Sequence, residues 1–239
     1  MAAEDNRRPI SQRSHGWAKW LTRVLVKSGV TPNFISFTSI VFASLAGLCF
    51  YAIALATSPG DRVLLGIGAA LFCQLRLLAN MMDGMVAVEA DKASKDGMIW
   101  NELPDRFADI AVLVGAGYCV ATLGNADGVI IADGRPADAS LGWAAAVAAV
   151  MTAYVREVSR AAGAPADFSG PMAKPHRMFV MTMAALLAAS TPLWFDSTLP
   201  NDGTMHGRVI GVALWIVLIG STFTALNRTR RALRFLNKK

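Results

Sequence analysis

Six apolar stretches, at roughly 33–57, 63–88, 98–123, 137–160, 176–196 and 207–227, take up most of the chain. Each is close to the ~20 residues that a helix needs to cross ~30 Å of hydrocarbon. Hydrophobic types make up 54% of the sequence and charged types only 17%, too apolar a balance for a soluble domain of this size to hide in one core. The expected fold is an all-α integral membrane protein, a single domain of six transmembrane helices over residues 31–227. The fourth stretch is rich in small residues at Ala144–Ala149, which suits close helix packing better than lipid exposure.

Residues 1–30 contain no apolar run that reads as a signal peptide. Trp17, Trp20 and Leu21 stand beside Lys19 and Arg23, a pattern expected of an amphipathic segment lying along the membrane surface. Of the 23 Lys and Arg, all but Arg62, Arg135 and Arg208 fall in the two ends of the chain, including a basic tail at 228–239, or in the second–third and fourth–fifth connections. By the positive-inside rule both termini are expected in the cytoplasm. The net charge of +6 flanks apolar spans instead of forming a soluble stripe, so anionic lipid headgroups are the expected partner and nucleic acid is not. Cys49, Cys73 and Cys119 all lie inside spans without paired spacing, which implies neither a disulfide framework nor a zinc site.

Polar residues interrupt the apolar pattern where the second span ends and the third begins. Asn80, Asp83, Gly84 and Ala87 recur at i, i+3, i+4 and i+7, and Gly97, Asn101, Asp105 and Asp109 recur every fourth residue. Each set therefore shares one helix face, and a short connection lets the two faces meet. Facing oxygen donors, two of them carboxylates, suit a hard cation such as Mg²⁺ together with substrate phosphates. Arg76 lies one turn deeper than Asn80, and Asp109 one turn deeper than Asp105. A lone charge at that depth is expensive, so an Arg76–Asp109 ion pair is expected beneath the site.

The run Asn80-x2-Asp83-Gly84-x2-Ala87-Val88-x8-Gly97-x3-Asn101-x3-Asp105 resembles the signature of the CDP-alcohol phosphotransferases, Asp-x2-Asp-Gly-x2-Ala-Arg-x8-9-Gly-x3-Asp-x3-Asp. Thr31-Pro32-Asn33 also looks like the usual start of that family's first span, and the resemblance covers roughly residues 20–230. Two of the four Asp positions are Asn80 and Asn101, and the Arg is Val88. An Asn keeps a carbonyl oxygen for a metal but brings no charge. The pattern is similar to a bacterial subgroup with Asn at both positions, followed as here by Glu102.

The resemblance implies an inner-membrane enzyme of phospholipid synthesis that uses Mg²⁺ or Mn²⁺, with its active site at the cytoplasmic face. Such an enzyme moves a phosphatidyl group from CDP-diacylglycerol to a polar alcohol and releases CMP. Asp83, Asp105, Asn80 and Asn101 are the implied metal ligands, and Asp105 the general base. Asn80, Asp83, Gly84, Ala87 and Gly97 are implied around the CDP moiety. Glu89, Asp91, Asp96 and Glu102 are nearby acids, of which Glu102 is best placed to restore charge, though it points about 100° away from Asn101 around the helix. Pro104 is expected to mark a helix start or shape the entrance.

Arg156 and Arg160 at i, i+4, with Lys174 and Arg177 across the fourth–fifth connection, form a second set suited to a phosphate of the acceptor or to lipid headgroups. Three alternatives stay open: donation of a CDP-linked headgroup to a lipid hydroxyl, a silent CDP-lipid-binding relative, and a transporter. Charges gathered at one face argue against the last. Family members include homodimers, and the Ala144–Ala149 face suits either such an interface or internal packing.

Overall fold

The computed structural model describes residues 15–90, 97–126, 139–193 and 202–238. Among them the chain is all helical, with α1 Gly16–Lys27, α2 Pro32–Leu55, α3 Pro59–Glu89, α4 Gly97–Ala126, α5 Ser140–Ala161, α6 Lys174–Ser190, a 3₁₀ turn at Thr191–Leu193, and α7 Asp202–Leu236. Residues 1–14 of the N-terminal segment, and Asp91 and Asp96 in the α3–α4 connection, lie outside the described residues.

Local signals set several of the ends. Thr31 Oγ1 accepts from Phe34 N at 3.3 Å with Pro32 in the first helical turn of α2, and Ser58 Oγ accepts from Asp61 N at 3.0 Å with Pro59 opening α3. In both, the cap satisfies a free amide and the proline occupies a place where its missing N–H costs nothing. Helix α1 ends on Gly29, whose φ of +76° lies in the left-handed region, and its amide donates to Val26 O at 3.1 Å.

Among the described residues five helices are long and apolar enough to cross a membrane: α2, α3, α4 from Glu102 to Leu123, α5, and α7 from Met205. The fifth expected stretch, 176–196, holds the shorter α6, which has 17 residues before the helix tightens into the 3₁₀ turn. The small-residue fourth stretch forms a full-length helix. The tail expected from residue 228 instead continues α7 to Leu236, with Arg228 buried. Pro104 does not start a helix. It lies inside α4, where it removes one amide from the ladder to Trp100 O.

Small residues set the distances between helices. A Cβ on Gly47 of α2 would lie 2.3 Å from Ala111 O of α4, and one on Gly117 of α4 would lie 2.6 Å from the Cα of Gly142 of α5. Gly66 of α3 meets Ala189 of α6 in the same way. Ala145, Ala146, Ala148 and Ala149 are buried within the chain, so this alanine face serves internal packing. Leu48, Leu64, Val147, Phe179 and Ile219 point outward. Small residues inside and large apolar ones outside is the distribution that lipid, with no hydrophobic force between helices, favours.

Helix α2 packs on α3 and α4, α3 on α6, α5 on α4 and α7, and α6 on α7. Helix α1 lies against α3, with Ala18 and Thr22 buried beside Met82 while Trp17 and Trp20 are exposed. With 31 residues, α3 is about 46 Å long at ~1.5 Å per residue. It therefore exceeds the ~30 Å of hydrocarbon by several turns, and those turns carry Asn80, Asp83 and Gly84.

Candidate active site

The last turns of α3 and the first turns of α4 bring their polar faces together, and α2 and α6 close the site from the sides. Asn80 Nδ2 donates to Asp105 Oδ1 at 2.6 Å. Asp83 is buried and accepts from Ser36 Oγ of α2 at 2.7 Å and from the backbone amide of Gly84. Among the described residues, no Lys or Arg forms an ion pair with Asp83.

Lys174, in the first turn of α6, reaches across to the same cluster. Its ammonium donates to both Asn80 Oδ1 and Asp105 Oδ2. Asp105 is further surrounded by Arg76 Nη2 at 3.7 Å and Arg106 Nη2 at 3.6 Å. Both of its oxygens are thus engaged by donors.

One turn deeper lies the expected pair, Arg76 Nη2 to Asp109 Oδ1 at 2.8 Å. The sequence pattern did not reveal that it is a triad. Arg177 Nη2 of α6 meets Asp109 Oδ2 at 2.6 Å, and its Nη1 donates to Met172 O at 2.8 Å and Thr152 Oγ1 at 3.2 Å. Arg76 and Asp109 are fully buried and Arg177 is 1% exposed. A carboxylate held between two guanidinium groups satisfies charges that none could carry alone at this depth.

The basic set expected to grip an acceptor phosphate is therefore divided. Arg177 belongs to the deep triad and Lys174 to the Asp105 cluster. Arg156 Nη2 meets Glu102 Oε2 at 2.5 Å, its Nε meets Glu157 Oε1 at 2.8 Å, and its guanidinium lies 5.0 Å above the Phe168 ring. Arg160 reaches Glu157 at 3.5 Å. Glu102 points to α5 instead of restoring charge beside Asp83, as its 100° offset from Asn101 requires.

Gly84 and Ala87 line the α3 face, Val88 and Glu89 are exposed, and Gly97 opens α4. The side chain of Asn101 lies outside the described residues. Ser36 is the site residue that sequence reasoning missed. Its available signal was the pair Ser36 and Ser39, a polar i, i+3 stripe on a helix otherwise apolar, and both are buried.

Asp83, Asp105 and the Asn80 carbonyl are hard oxygen donors of the kind that Mg²⁺ and Mn²⁺ take. Among the described residues no three His, Cys, Asp or Glu converge, and the Lys174 ammonium lies between Asn80 and Asp105. Among the described residues Asp83 forms no ion pair, so the donor set fits a divalent cation there.

No protein family model matches the chain. It is 22% identical over 208 residues to a phosphatidylinositol phosphate synthase of Mycolicibacterium smegmatis, an alignment that covers 87% of this chain and 80% of that one. It is 25% identical over 209 residues to the inner membrane protein YnbA of Escherichia coli, covering 87% of each. Among solved structures it is similar to the phosphatidylinositol phosphate synthase of Mycobacterium tuberculosis with CDP-DAG bound, with a TM-score of 0.64 and 18% identity over 89% of this chain and 91% of that one. The same enzyme with manganese and citrate gives a TM-score of 0.64 at 18% identity, covering 89% and 87%. The chain has the fold of these structures.

Proposed function

We propose that the chain is a divalent-cation-dependent CDP-alcohol phosphotransferase of the variant with Asn at the first and third Asp positions. It moves a phosphatidyl group from CDP-diacylglycerol to a polar alcohol and releases CMP. The observation that carries this reading is the gathering of Asn80 and the buried Asp83 and Asp105, from two helices and at the signature's spacing, into one cluster. The relatives with known activity, and the CDP-DAG bound to one of them, support the same chemistry.

In this reading α6 with its 3₁₀ turn is a sixth, short span, and both termini and the site face the cytoplasm of a bacterial inner membrane. The acceptor oxygen forms a bond to the phosphorus that carries diacylglycerol, and the bond from that phosphorus to the bridging oxygen of CMP breaks. A divalent cation at Asp83 neutralises pyrophosphate charge when bound. Asp105 takes the hydroxyl proton, which requires that Asn80 or Lys174 turn from it toward the substrate. Ser36 and the Gly84 amide hold the Asp83 carboxylate in one orientation, which limits the reorganisation left for the moment of reaction. Gly84 and Ala87 leave the CDP moiety room against the α3 backbone, with Gly97 and Asn101 on the α4 side. Arg156 and Arg160, shared with Glu102 and Glu157, are the guanidiniums that would meet an anionic acceptor.

The self-sufficient contacts of Asp105 favour one other reading, a silent relative that binds CDP-lipid without turning it over. CMP release by purified protein with CDP-diacylglycerol, Mg²⁺ or Mn²⁺ and a panel of acceptors separates the two. Glycerol 3-phosphate, inositol phosphate, serine and glycerol make up the panel. Release that needs metal and vanishes in Asp105→Asn supports the enzyme, whereas tight binding with no release supports the silent relative.

A further inference from the structure

Asn80 and Asp105 face each other across the α3–α4 gap at 2.6 Å. Two carboxylates at that separation would need a cation between them or a shared proton. With an amide on one side the pair is satisfied by its own hydrogen bond, and the remaining oxygens, Asn80 Oδ1 and Asp105 Oδ2, both accept from Lys174. A tethered ammonium stands where a bridging metal would be expected.

The charges agree with this. The buried core of the site holds three carboxylates, Asp83, Asp105 and Asp109, and three cations, Arg76, Arg177 and Lys174. One divalent cation together with a substrate pyrophosphate, which carries two negative charges, leaves that core neutral. A second divalent cation would leave it two charges in excess in a poorly solvated place, where unmatched charge is costly. The Lys174 side chain is only 16% exposed, and it follows the buried residues Met172 and Ala173 at the start of α6, so its base is anchored.

We propose that Lys174 does in this chain the work of a second divalent cation, so that the site takes a single divalent cation, at Asp83. This rests on the phosphotransferase reading above, and it makes Lys174 a cation built into α6 in place of one recruited from solution. The Asn80 amide leaves Asp105 as the one carboxylate that the ammonium has to match across this gap.

The test is the number of Mn²⁺ ions bound per chain, measured on full-length protein in detergent by the electron paramagnetic resonance of free Mn²⁺, without substrate. Wild type is expected to bind one. Asn80→Asp alone is expected to stay at one, because the ammonium still fills the gap, whereas Asn80→Asp with Lys174→Met is expected to bind two. Asn80→Asp with Lys174→Arg keeps a cation in place and is expected to remain at one, which guards against a loss of folding in the methionine variant. Two ions on wild type or on Asn80→Asp overturn the proposal while leaving the metal-dependent enzyme intact, and so does one ion on a folded Asn80→Asp, Lys174→Met protein. If the methionine variant is unfolded, two ions on the arginine variant overturn it and one sustains it. No Mn²⁺ on wild type removes the metal-dependent reading and this proposal with it.

Discussion

Two layers of charge lie one helical turn apart at the same end of the bundle, and they are built differently. In the deeper layer, Asp109 is closed between Arg76 and Arg177 at 2.8 and 2.6 Å, and all three are buried. In the outer layer, Asp105 is shared among Asn80, Lys174 and two more distant guanidiniums, while Asp83 has a hydroxyl and an amide and, among the described residues, no ion pair. A carboxylate whose partners complete its charge has nothing left to offer a ligand. One held by neutral donors does, and on the function proposed above the deep layer would serve the fold and the outer layer the chemistry.

The largest effect is expected where the deep layer is opened. Asp109→Ala leaves two buried guanidinium groups without their counter-charge, a loss on the order of 3–5 kcal/mol, seen as a collapse of the monodisperse peak or of the melting temperature in detergent. If this variant stays folded and loses only turnover, the division between the layers is wrong. Asp83→Asn should do the opposite, lowering CMP release about 100-fold or more while the melting temperature hardly changes.

Between these stands a contact of α2 with α4, two residues along α4 from Asp109. Gly47→Val drives side-chain atoms into Ala111 O, which a Cβ alone would meet at 2.3 Å. It should cost about 1–3 kcal/mol, measured by thermal unfolding, and lower activity only through the loss of folded protein. The smallest change is expected at Arg231→Ala, which removes a pair with Asp167 at 2.9 Å on a side chain 48% exposed. Such pairs are worth about 0–1 kcal/mol, so stability and CMP release should both stay close to wild type.

The helices and the pairing of α3 with α4 were legible because their signals are local. Apolar length, the Thr31-Pro32-Asn33 entry to the first span, and the i, i+3, i+4 spacing of Asn80, Asp83 and Gly84 need no knowledge of a partner. The Arg76–Asp109 pair was legible too, since antiparallel neighbours joined by a short connection have matching depths. Lys174 and Arg177 were read as one set because they sit three residues apart beside other basic groups, which in sequence reads as one cluster. A helix that starts at Lys174 gives the two side chains different depths, and each takes a different carboxylate. The length of the helix in the fifth stretch was not legible for a related reason, because hydropathy over 176–196 says nothing of where the helix tightens after Ser190.

By itself, then, the sequence determined an all-helical chain with long apolar segments, the two polar faces at the α3–α4 junction, and the depletion of charge at Asn80 and Asn101. Periodicity and composition act along the chain and can be read along it. Only the tertiary structure decided that Ser36 orients Asp83, that Arg177 completes the deep triad and that Lys174 bridges Asn80 and Asp105. Those contacts join residues dozens of positions apart, and they depend on the azimuth and separation of α2, α3, α4 and α6. Small-residue crossings such as Gly47 on Ala111 and Gly66 on Ala189 set that geometry.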